Sequence, residues 1–427
     1  MIAWPVVSLA DVASPEKRAI ISGPFGSNIG KRFFVPYGVP VIRGNNLANP
    51  DLKFSDDGFV YITEEKAATL NCWAYPDDLI FTAAGSLGQV GVIPKNGRHP
   101  RYTISNKQLR IRLDKTKIVP AFAYYYFSAP DMRAYVIGQN KGSSVPLITL
   151  GVLRALPIPQ PPLPIQSKIA AILSAYDDLM ENNGRRIKLL EEIVQRIYRE
   201  WFVEFRYPGH EGVPLVDSEL GPIPTGWEVG RLGDLVDINA LTIRKIDPNE
   251  SIRYIDISSV TRGTVAEPKT MPLIDAPGRA RRRVMDGDIL WSTVRPNLRA
   301  YALFLSPETD HVASTGFAVL SPRRVSFSYV YALTTAVDFV EYLSGRATGS
   351  AYPAVTPIVF SEAPVVIPRP RVLNGFASIA EPVLRMSALL AARSSILAAT
   401  RVTLLPRLIS GEIDVTDLDI AMPEAAA

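Results

Sequence analysis

An internal repeat constrains this chain more than any other feature, because each copy must build the same kind of core. Trp4, Val6, Leu9 and Asp11 recur as Trp227, Val229, Leu232 and Asp234, each 223 positions later. Chance is a poor explanation for four matches in register. DDLIFT, from Asp77 to Thr82, is echoed by GDILWS, from Gly287 to Ser292, at an offset of 210. Gly142, Ser143, Pro146 and Ile148 correspond to Gly349, Ser350, Pro353 and Val355 at an offset of 207, and Ile158-Pro159 to Ile367-Pro368 at 209. A drift of this size is expected of two diverged copies of one domain, with the insertions and deletions in surface loops.

The chain has 427 residues, 47% of them hydrophobic, so it can fill two or three cores. Each copy reads as β-rich, with short runs such as VPVIRG and QLRIRL in the first and RYIDIS and FAVLSP in the second, broken by Gly, Pro, Asn and Asp. One helix per copy is expected, around Pro120 to Gly138 and Tyr329 to Gly345. The fold class is therefore α+β.

After each copy the periodicity changes. Beyond PIPQPPLP, apolar residues fall at Ile165, Ile169, Ile172, Tyr176 and Leu179, then at Ile187, Leu190, Val194, Ile197 and Trp201, at alternating fours and threes. This is a heptad seam with a stutter near Asn183-Gly184, where the helix could bend. A helix of about 40 residues spans roughly 60 Å. The second stripe is weaker: Phe376, Ile379, Val383, Met386, Leu390, Leu397, Leu404 and Leu408, with Arg393 and Thr400 at two seam positions and Pro382 and Pro406 expected to kink or trim the helix. An order of domain, helix, domain, helix favours antiparallel coiled-coil pairing around a pseudo-twofold axis, with the domains at opposite ends. The divisions are then 1–163, a helix over 164–206, 207–371, a helix over 372–416, and a disordered tail over 417–427.

Several classes are disfavoured. A single cysteine, Cys72, allows no internal disulfide and no thiolate zinc site, which fits a cytoplasmic protein. MIAWPVV is no signal sequence, and apolar runs such as AFAYYYF are too short for a bilayer, so no membrane partner is expected. His99, His210 and His311 form no ligand pair at helical spacing, and no metal is expected. There is no Asn/Asp-Pro-Pro-aromatic motif, no Gly-x-Gly-x-x-Gly after a strand and no phosphate-binding loop; the string from Gly85 through Gly88 to Gly91 has the wrong spacing. A formal charge of +4 permits a polyanion partner without requiring one. Two other classes stay open: a scaffold that binds no DNA, and a nuclease in which Asp77, Asp78 or Asp288 binds a metal with Glu64 or Lys66.

ISGPFGSN at Ile21, VPVIRGNNL at Val39, LPIPQPPLPIQSKIAAIL at Leu156, IYREWFVEF at Ile197, ELGPIPTGWEV at Glu219 and LLPRLISGEIDV at Leu404 carry a family resemblance in their order and spacing. Over nearly its whole length the chain resembles the specificity subunit of a type I restriction-modification system. The resemblance implies two target recognition domains, each reading one half of a bipartite double-stranded DNA sequence, with the helices fixing the gap. It implies a subunit without catalysis or cofactor of its own. Two modification subunits, adenine methyltransferases using S-adenosylmethionine, would dock on it, and restriction subunits using Mg and ATP could join. Domains about a pseudo-twofold axis would read half-sites about one helical turn, ~34 Å, apart.

Affinity for DNA comes mainly from neutralising phosphates, and specificity from donors and acceptors at base edges. The candidates in the first copy are Ser27, Asn28, Lys31 and Arg32, then Arg43, Asn45 and Asn46, then Lys141 and Ser143. In the second they are Arg244, Lys245, Ser258, Ser259 and Arg262, the cluster Arg279, Arg281, Arg282 and Arg283, then Arg295, Asn297 and Arg299, and Ser350 and Tyr352. Gly23, Gly26 and Gly44 read as backbone necessities. Ile187, Leu190, Val194, Ile197, Leu390, Leu397 and Leu404 are expected at the helix seam, while Trp201, Phe202 and Phe205 suit either a domain junction or a docking surface.

Overall fold

The structure is a computed structural model that describes residues 4–48, 52–139, 147–245, 247–306 and 308–420. The chain forms two compact units, one made of Met1–Gly184 with Ala392–Ala427, the other of Arg185–Ala391. Each unit therefore takes a recognition-domain copy, part of the central long helix (Leu163–Tyr198) and part of the second long helix (Pro370–Ile409).

The first unit opens with an antiparallel ribbon of Val6–Ser8 and Pro157–Pro159. One four-stranded sheet runs Ile20–Ser22, Gln108–Ile111, Leu79–Thr82, Val90–Val92, antiparallel throughout. A second runs Val60–Ile62, Val39–Ile42, Tyr102–Ile104, Trp73–Ala74, with its middle pair parallel. The second unit repeats this strand for strand. Its ribbon is Glu228–Arg231 with Pro364–Ile367. Its sheets run Val236–Ile238, Phe317–Pro322, Ile289–Ser292, Tyr301–Leu303, and Lys269–Pro272, Ser251–Ile255, His311–Ser314, Ala280–Arg283. The parallel pair falls at the same place, between Ser251–Ile255 and His311–Ser314. A parallel pair needs a crossover connection, so its recurrence marks one topology used twice.

The single helix expected in each copy is two: Pro120–Ser128 and Pro130–Gly138, then Phe327–Thr335 and Val337–Arg346. Pro130 pushes Ala129 into an extended conformation (ψ 140°), which ends the first helix. Ala336 breaks the second copy at the same place without a proline.

Both long helices are continuous where the sequence suggested interruption. The central helix passes through Asn183-Gly184, and the second passes through Pro382 and Pro406. Pro382 is exposed, so its ring projects away from the packed face, the carbonyl its missing N–H leaves unbonded belongs to exposed Ser378, and Pro406 falls in the last turn.

The packed stripe is shifted from the one that apolar spacing selected. Leu179, Ile379 and Met386 are exposed, while Leu173, Asp177, Met180, Asn183, Ala380, Leu384 and Ser387 are buried. Ser394 and the largely buried Arg401 take the places assigned to Arg393 and Thr400. The seam contains polar residues because they satisfy one another: Asn183 donates to the Ser394 hydroxyl at 3.2 Å, and Arg401 is ion-paired with Asp177. Rising position on one helix meets falling position on the other, so the helical segments of the first unit are antiparallel.

These segments also wall the domain cores. Ile169, Leu173, Leu405 and Leu408 pack with Leu9, Phe81, Phe122 and Ile158 in the first unit. Val194, Tyr198, Phe202, Phe376 and Leu384 pack with Trp291, Tyr329 and Phe360 in the second. Each such side chain, fully buried, stabilises by roughly 1.5–3 kcal/mol. Phe202 lies 4.9 Å from the Tyr329 ring, 5.1 Å from Phe376 and 5.9 Å from Trp227, which makes it a domain-junction residue. Among the described residues one helix, Pro370–Ile409, is long and apolar enough by length and composition to cross a membrane, contrary to the reading of uninterrupted apolar runs. Its apolar character comes from Ala and Leu spread between Arg371, Arg385, Arg393, Arg401 and Arg407.

Candidate nucleic-acid interface

In the first unit the loop after Ile20–Ser22 is pressed against the turn at Ser105-Asn106. A Cβ on Gly23 would lie 1.8 Å from the Ser105 carbonyl oxygen, so only glycine permits this approach. The Gly23 N–H donates to the Gln108 carbonyl at 2.9 Å, and the chain then makes two short 3-10 turns, Gly26–Asn28 and Lys31–Phe33. Ser27, Asn28, Lys31 and Arg32 are all exposed on them. Arg32 donates to the Ser27 carbonyl at 2.9 Å and lies over the Phe33 ring at 4.7 Å. Phe25 and Tyr37 are each 83% exposed. From Lys17 to Ala48 the chain holds Lys17, Arg18, Lys31, Arg32 and Arg43 and not one acidic residue. Sequence reasoning overlooked this local imbalance because the net charge of the whole chain dilutes it.

The neighbouring turn corrects one candidate. Asn46 is buried; its amide oxygen accepts the Arg43 N–H at 2.9 Å, and its NH2 donates to the Ser55 and Asp57 carbonyls at 2.9 Å each. Its amide is spent on holding the loop. Asn45 stays exposed and donates to the Gly58 carbonyl at 3.3 Å, with half-buried Arg43 beside it. Lys141 and Ser143 lie outside the described residues.

In the second unit the arginine cluster is spoken for locally. Arg279 donates to the Tyr254 hydroxyl at 3.0 Å and pairs with Asp256. Desolvation works to raise the Asp256 carboxyl, but hydrogen bonds from Ser258 and Arg279 outweigh it and hold the group at about 2. Arg281 bonds the Ala280 carbonyl, Arg282 bonds the Thr242 hydroxyl at 2.6 Å, and Arg283 pairs with Glu250 at 2.6 Å. Burial depresses the Arg282 guanidinium below its ordinary range. Ser258 and Ser259 are bonded to Asp256. Arg262 hydrogen-bonds Tyr301 and faces the Glu191 carboxylate of the central helix, so it ties domain to helix within this unit. Burial raises Glu191 above the usual carboxylate range.

Candidates that remain presented are Arg244 and Lys245, both exposed, and the turn around Pro296–Leu298 with the loop at Ser350 to Tyr352. Asn297 and Ser350 are exposed, and Leu298 and Tyr352 are 62% and 69% exposed. Arg295 and Arg299 bracket the turn in the left-handed region, with φ of +49° and +55°. For a residue with a Cβ that conformation costs roughly 1–2 kcal/mol.

The residues named for a nuclease are not gathered around a common point. Asp78 is buried and held by Arg112, Asp77 pairs with Lys115 at 2.6 Å, Glu64 pairs with Arg101, and Lys66 sits over the Phe33 ring at 4.0 Å. Asp288, in the second unit, is buried and accepts the Met285 N–H. A grouping that helical spacing could not disclose is Glu308, Asp310 and His311, whose ligand atoms lie within 4.8 Å of one another. There the Arg253 guanidinium already spans both carboxylates, at 3.0 Å from Asp310 and paired with Glu308.

Residues 1–192 match the family of the type I restriction modification DNA specificity domain. The chain is 24% identical over 390 residues to the type I restriction enzyme MjaIX specificity subunit of Methanocaldococcus jannaschii, covering 89% of this chain and 88% of that one. It is 27% identical over 121 residues to the HindI specificity subunit of Haemophilus influenzae, covering 26% of each. The crystal structure of a type I restriction-modification system S subunit from M. genitalium superposes with a TM-score of 0.58 at 14% identity, covering 95% of this chain and 96% of that one. That likeness establishes the fold. Residues 1–192 thus carry a type I restriction modification DNA specificity domain, and over most of its length the chain is similar to type I restriction enzyme specificity subunits.

Proposed function

We propose that this chain reads a bipartite double-stranded DNA target, one half through each recognition domain, and carries the subunits that act on it. The observation that supports this most is the strand-for-strand recurrence of one domain topology, with different exposed polar residues on equivalent loops. Two copies of one scaffold with different tips are suited to two different half-sites. Phosphate neutralisation by Lys17, Arg18, Lys31 and Arg32 in the first copy and Arg244 and Lys245 in the second supplies affinity, and the polar tips supply discrimination.

In this reading the chemistry belongs to partners. Two modification subunits dock on the chain and methylate adenine with S-adenosylmethionine, and restriction subunits, where present, bring Mg and ATP. The chain contributes recognition and spacing, and works in the cytoplasm. The long helices set the unread gap between half-sites.

The test is co-expression with the cognate modification subunit in a methylation-free host, followed by genome-wide mapping of modified adenine. A bipartite motif with a fixed gap, found only when both proteins are present, is expected. Exchanging residues 1–155 for those of a related subunit should change one half of the motif. Methylation with the same motif when this chain is omitted, or a change in both halves on exchange, would overturn the proposal.

A further inference from the structure

We infer that Arg295 is a base-reading residue of the second recognition domain, its guanidinium aimed by the Tyr352 ring at a guanine edge; this rests on the recognition role proposed above. The argument begins with the repeat. Both copies join the same two strands of the antiparallel sheet by a short loop, seven residues in the first (83–89) and eight in the second (293–300), with two positive-φ residues in each. In the first, between Leu79–Thr82 and Val90–Val92, Gly85 and Gly88 take φ of +92° and +79°. In the second, between Ile289–Ser292 and Tyr301–Leu303, Arg295 and Arg299 take φ of +49° and +55°.

The positions correspond. Ala84 bridges Leu147 where Val294 bridges Ala354, and Thr82 N–H bonds the Gln89 carbonyl where Ser292 N–H bonds the Ala300 carbonyl. Arginine therefore stands where the sister copy uses glycine. Glycine adopts this backbone without strain, so the turn does not call for arginine. Non-glycine residues held in this region concentrate at functional sites, where the surrounding structure over-determines them. Here the side chain, not the turn, requires the residue.

The side chain is also presented. Arg295 is exposed; its guanidinium lies 4.6 Å from the centre of the exposed Tyr352 ring and donates one bond, 2.9 Å, to the Ala351 carbonyl. The backbone N–H of Arg295 donates to the Pro353 carbonyl at 2.7 Å, which ties the turn to the same loop. Arg253, Arg279 and Arg283 of this unit each pair with a carboxylate; the contacts of Arg295 are a carbonyl and a ring face. Stacking fixes the plane of the guanidinium while leaving in-plane donors of its fork open. A fixed planar fork matches O6 and N7 of guanine in the major groove. A phosphate needs only charge, and a lysine on glycine-free backbone elsewhere would meet it.

The experiment uses the full chain in complex with its cognate modification subunit to select duplexes from a randomised DNA library. The wild type is expected to return a bipartite consensus with guanine in one half. Arg295→Gly should melt no lower than the wild type, because glycine relieves the backbone. It should lose preference at one position of one half-site, by about ten- to hundredfold, with the other half unchanged. Arg295→Lys keeps the charge but not the fork and should fail in the same way; Tyr352→Ala should weaken the same position. If Arg295→Gly returns the wild-type consensus, the inference is overturned while the recognition role stands. Uniform weakening across all positions that lysine rescues also overturns it, in favour of a phosphate contact. If the wild type returns no consensus, the recognition role itself fails and the inference falls with it.

Discussion

Arg112 grips Asp78 with two hydrogen bonds, 2.9 and 3.0 Å long, while the same carboxylate accepts the Tyr75 backbone N–H at 2.9 Å. In the second copy Asp288 holds the equivalent turn through the Met285 N–H at 2.8 Å. The strand registers Leu79↔Ile111 and Ile289↔Leu320 put Ser321 where Arg112 stands in the first copy. One turn-holding aspartate has thus been kept in two electrostatic settings, and the two copies should respond oppositely to the same substitution.

Asp78→Asn should destabilise the first unit. The amide oxygen can still accept from Tyr75, but Arg110, its side chain 6% exposed, loses the Asp78 carboxylate, and Arg112, 25% exposed, keeps only Glu16 at 2.7 Å. Breaking a buried pair from one side costs roughly 3–5 kcal/mol; the partial exposure of Arg112 lowers this to about 2–4 kcal/mol. Urea denaturation of the full chain reads it directly, and wild-type stability in this variant would contradict the argument.

Asp288→Asn should be neutral or stabilising at neutral pH. Burial raises the Asp288 carboxyl above its ordinary value, with the Ser321 and Met285 hydrogen bonds opposing the shift. A raised folded-state pKa means the folded chain binds this proton more tightly than the unfolded one. The contribution to stability is therefore complete below the ordinary aspartate range and is lost as pH rises through the raised value. The asparagine variant lacks this loss, so its stability relative to wild type should climb as pH rises above the ordinary aspartate value of about 4 and level off once the raised value is passed. A difference independent of pH would assign the burial cost elsewhere.

How far the sequence disclosed the molecule can be judged from single residues. The repeat was legible because Trp4 and Trp227, or Asp78 and Asp288, hold the same structural places. The long helices were legible because Val194, Phe376 and Leu408 follow their period. The packed face was not fully legible: Leu179 is apolar and exposed, while Asp177 and Asn183 are polar and buried, because their partners Arg401 and Ser394 lie more than 200 positions away. Side-chain type forecast exposed sites such as Lys31 and Arg32 but not Asn46 or Arg262, whose partners come from other segments. Arg295 was among the sequence candidates, but its left-handed backbone was beyond sequence, since only the sister copy shows that glycine would suffice.

Two changes in the first copy should separate fold from binding. Asn46→Ala removes the acceptor for Arg43 N–H and both donors to Ser55 and Asp57, and should lower stability by about 2–3 kcal/mol. Lys31→Ala and Arg32→Ala touch exposed side chains and should leave melting within about 0.5 kcal/mol. Each should weaken DNA binding uniformly across sequences and reduce the slope of log affinity against log salt by about 1. Sequence-dependent weakening would make these residues base readers.

The Asp177–Arg401 pair offers the most direct test of what the helix seam specifies. Asp177 is buried and accepts the Tyr125 hydroxyl at 2.5 Å, pairs with Arg401, and has Lys53 at 3.8 Å. Asp177→Ala takes the carboxylate from a guanidinium whose side chain is 15% exposed, and Arg401→Ala leaves the buried carboxylate with the Tyr125 hydroxyl and the more distant Lys53; each should cost roughly 2–4 kcal/mol. Replacing both with Leu and Met should recover most of that loss, because a packed apolar pair avoids desolvating two charges. A double-mutant cycle would then show strong coupling, and additive losses would remove the pair from the seam's energetics. Polar residues in a helix seam can fix register at some cost in stability. The apolar double variant is therefore expected to remain folded while its methylation motif tolerates more than one gap length, because helices freed of their polar pin can slide by a turn. A single unchanged gap length would assign the register to the apolar contacts of Leu405 and Leu408 instead.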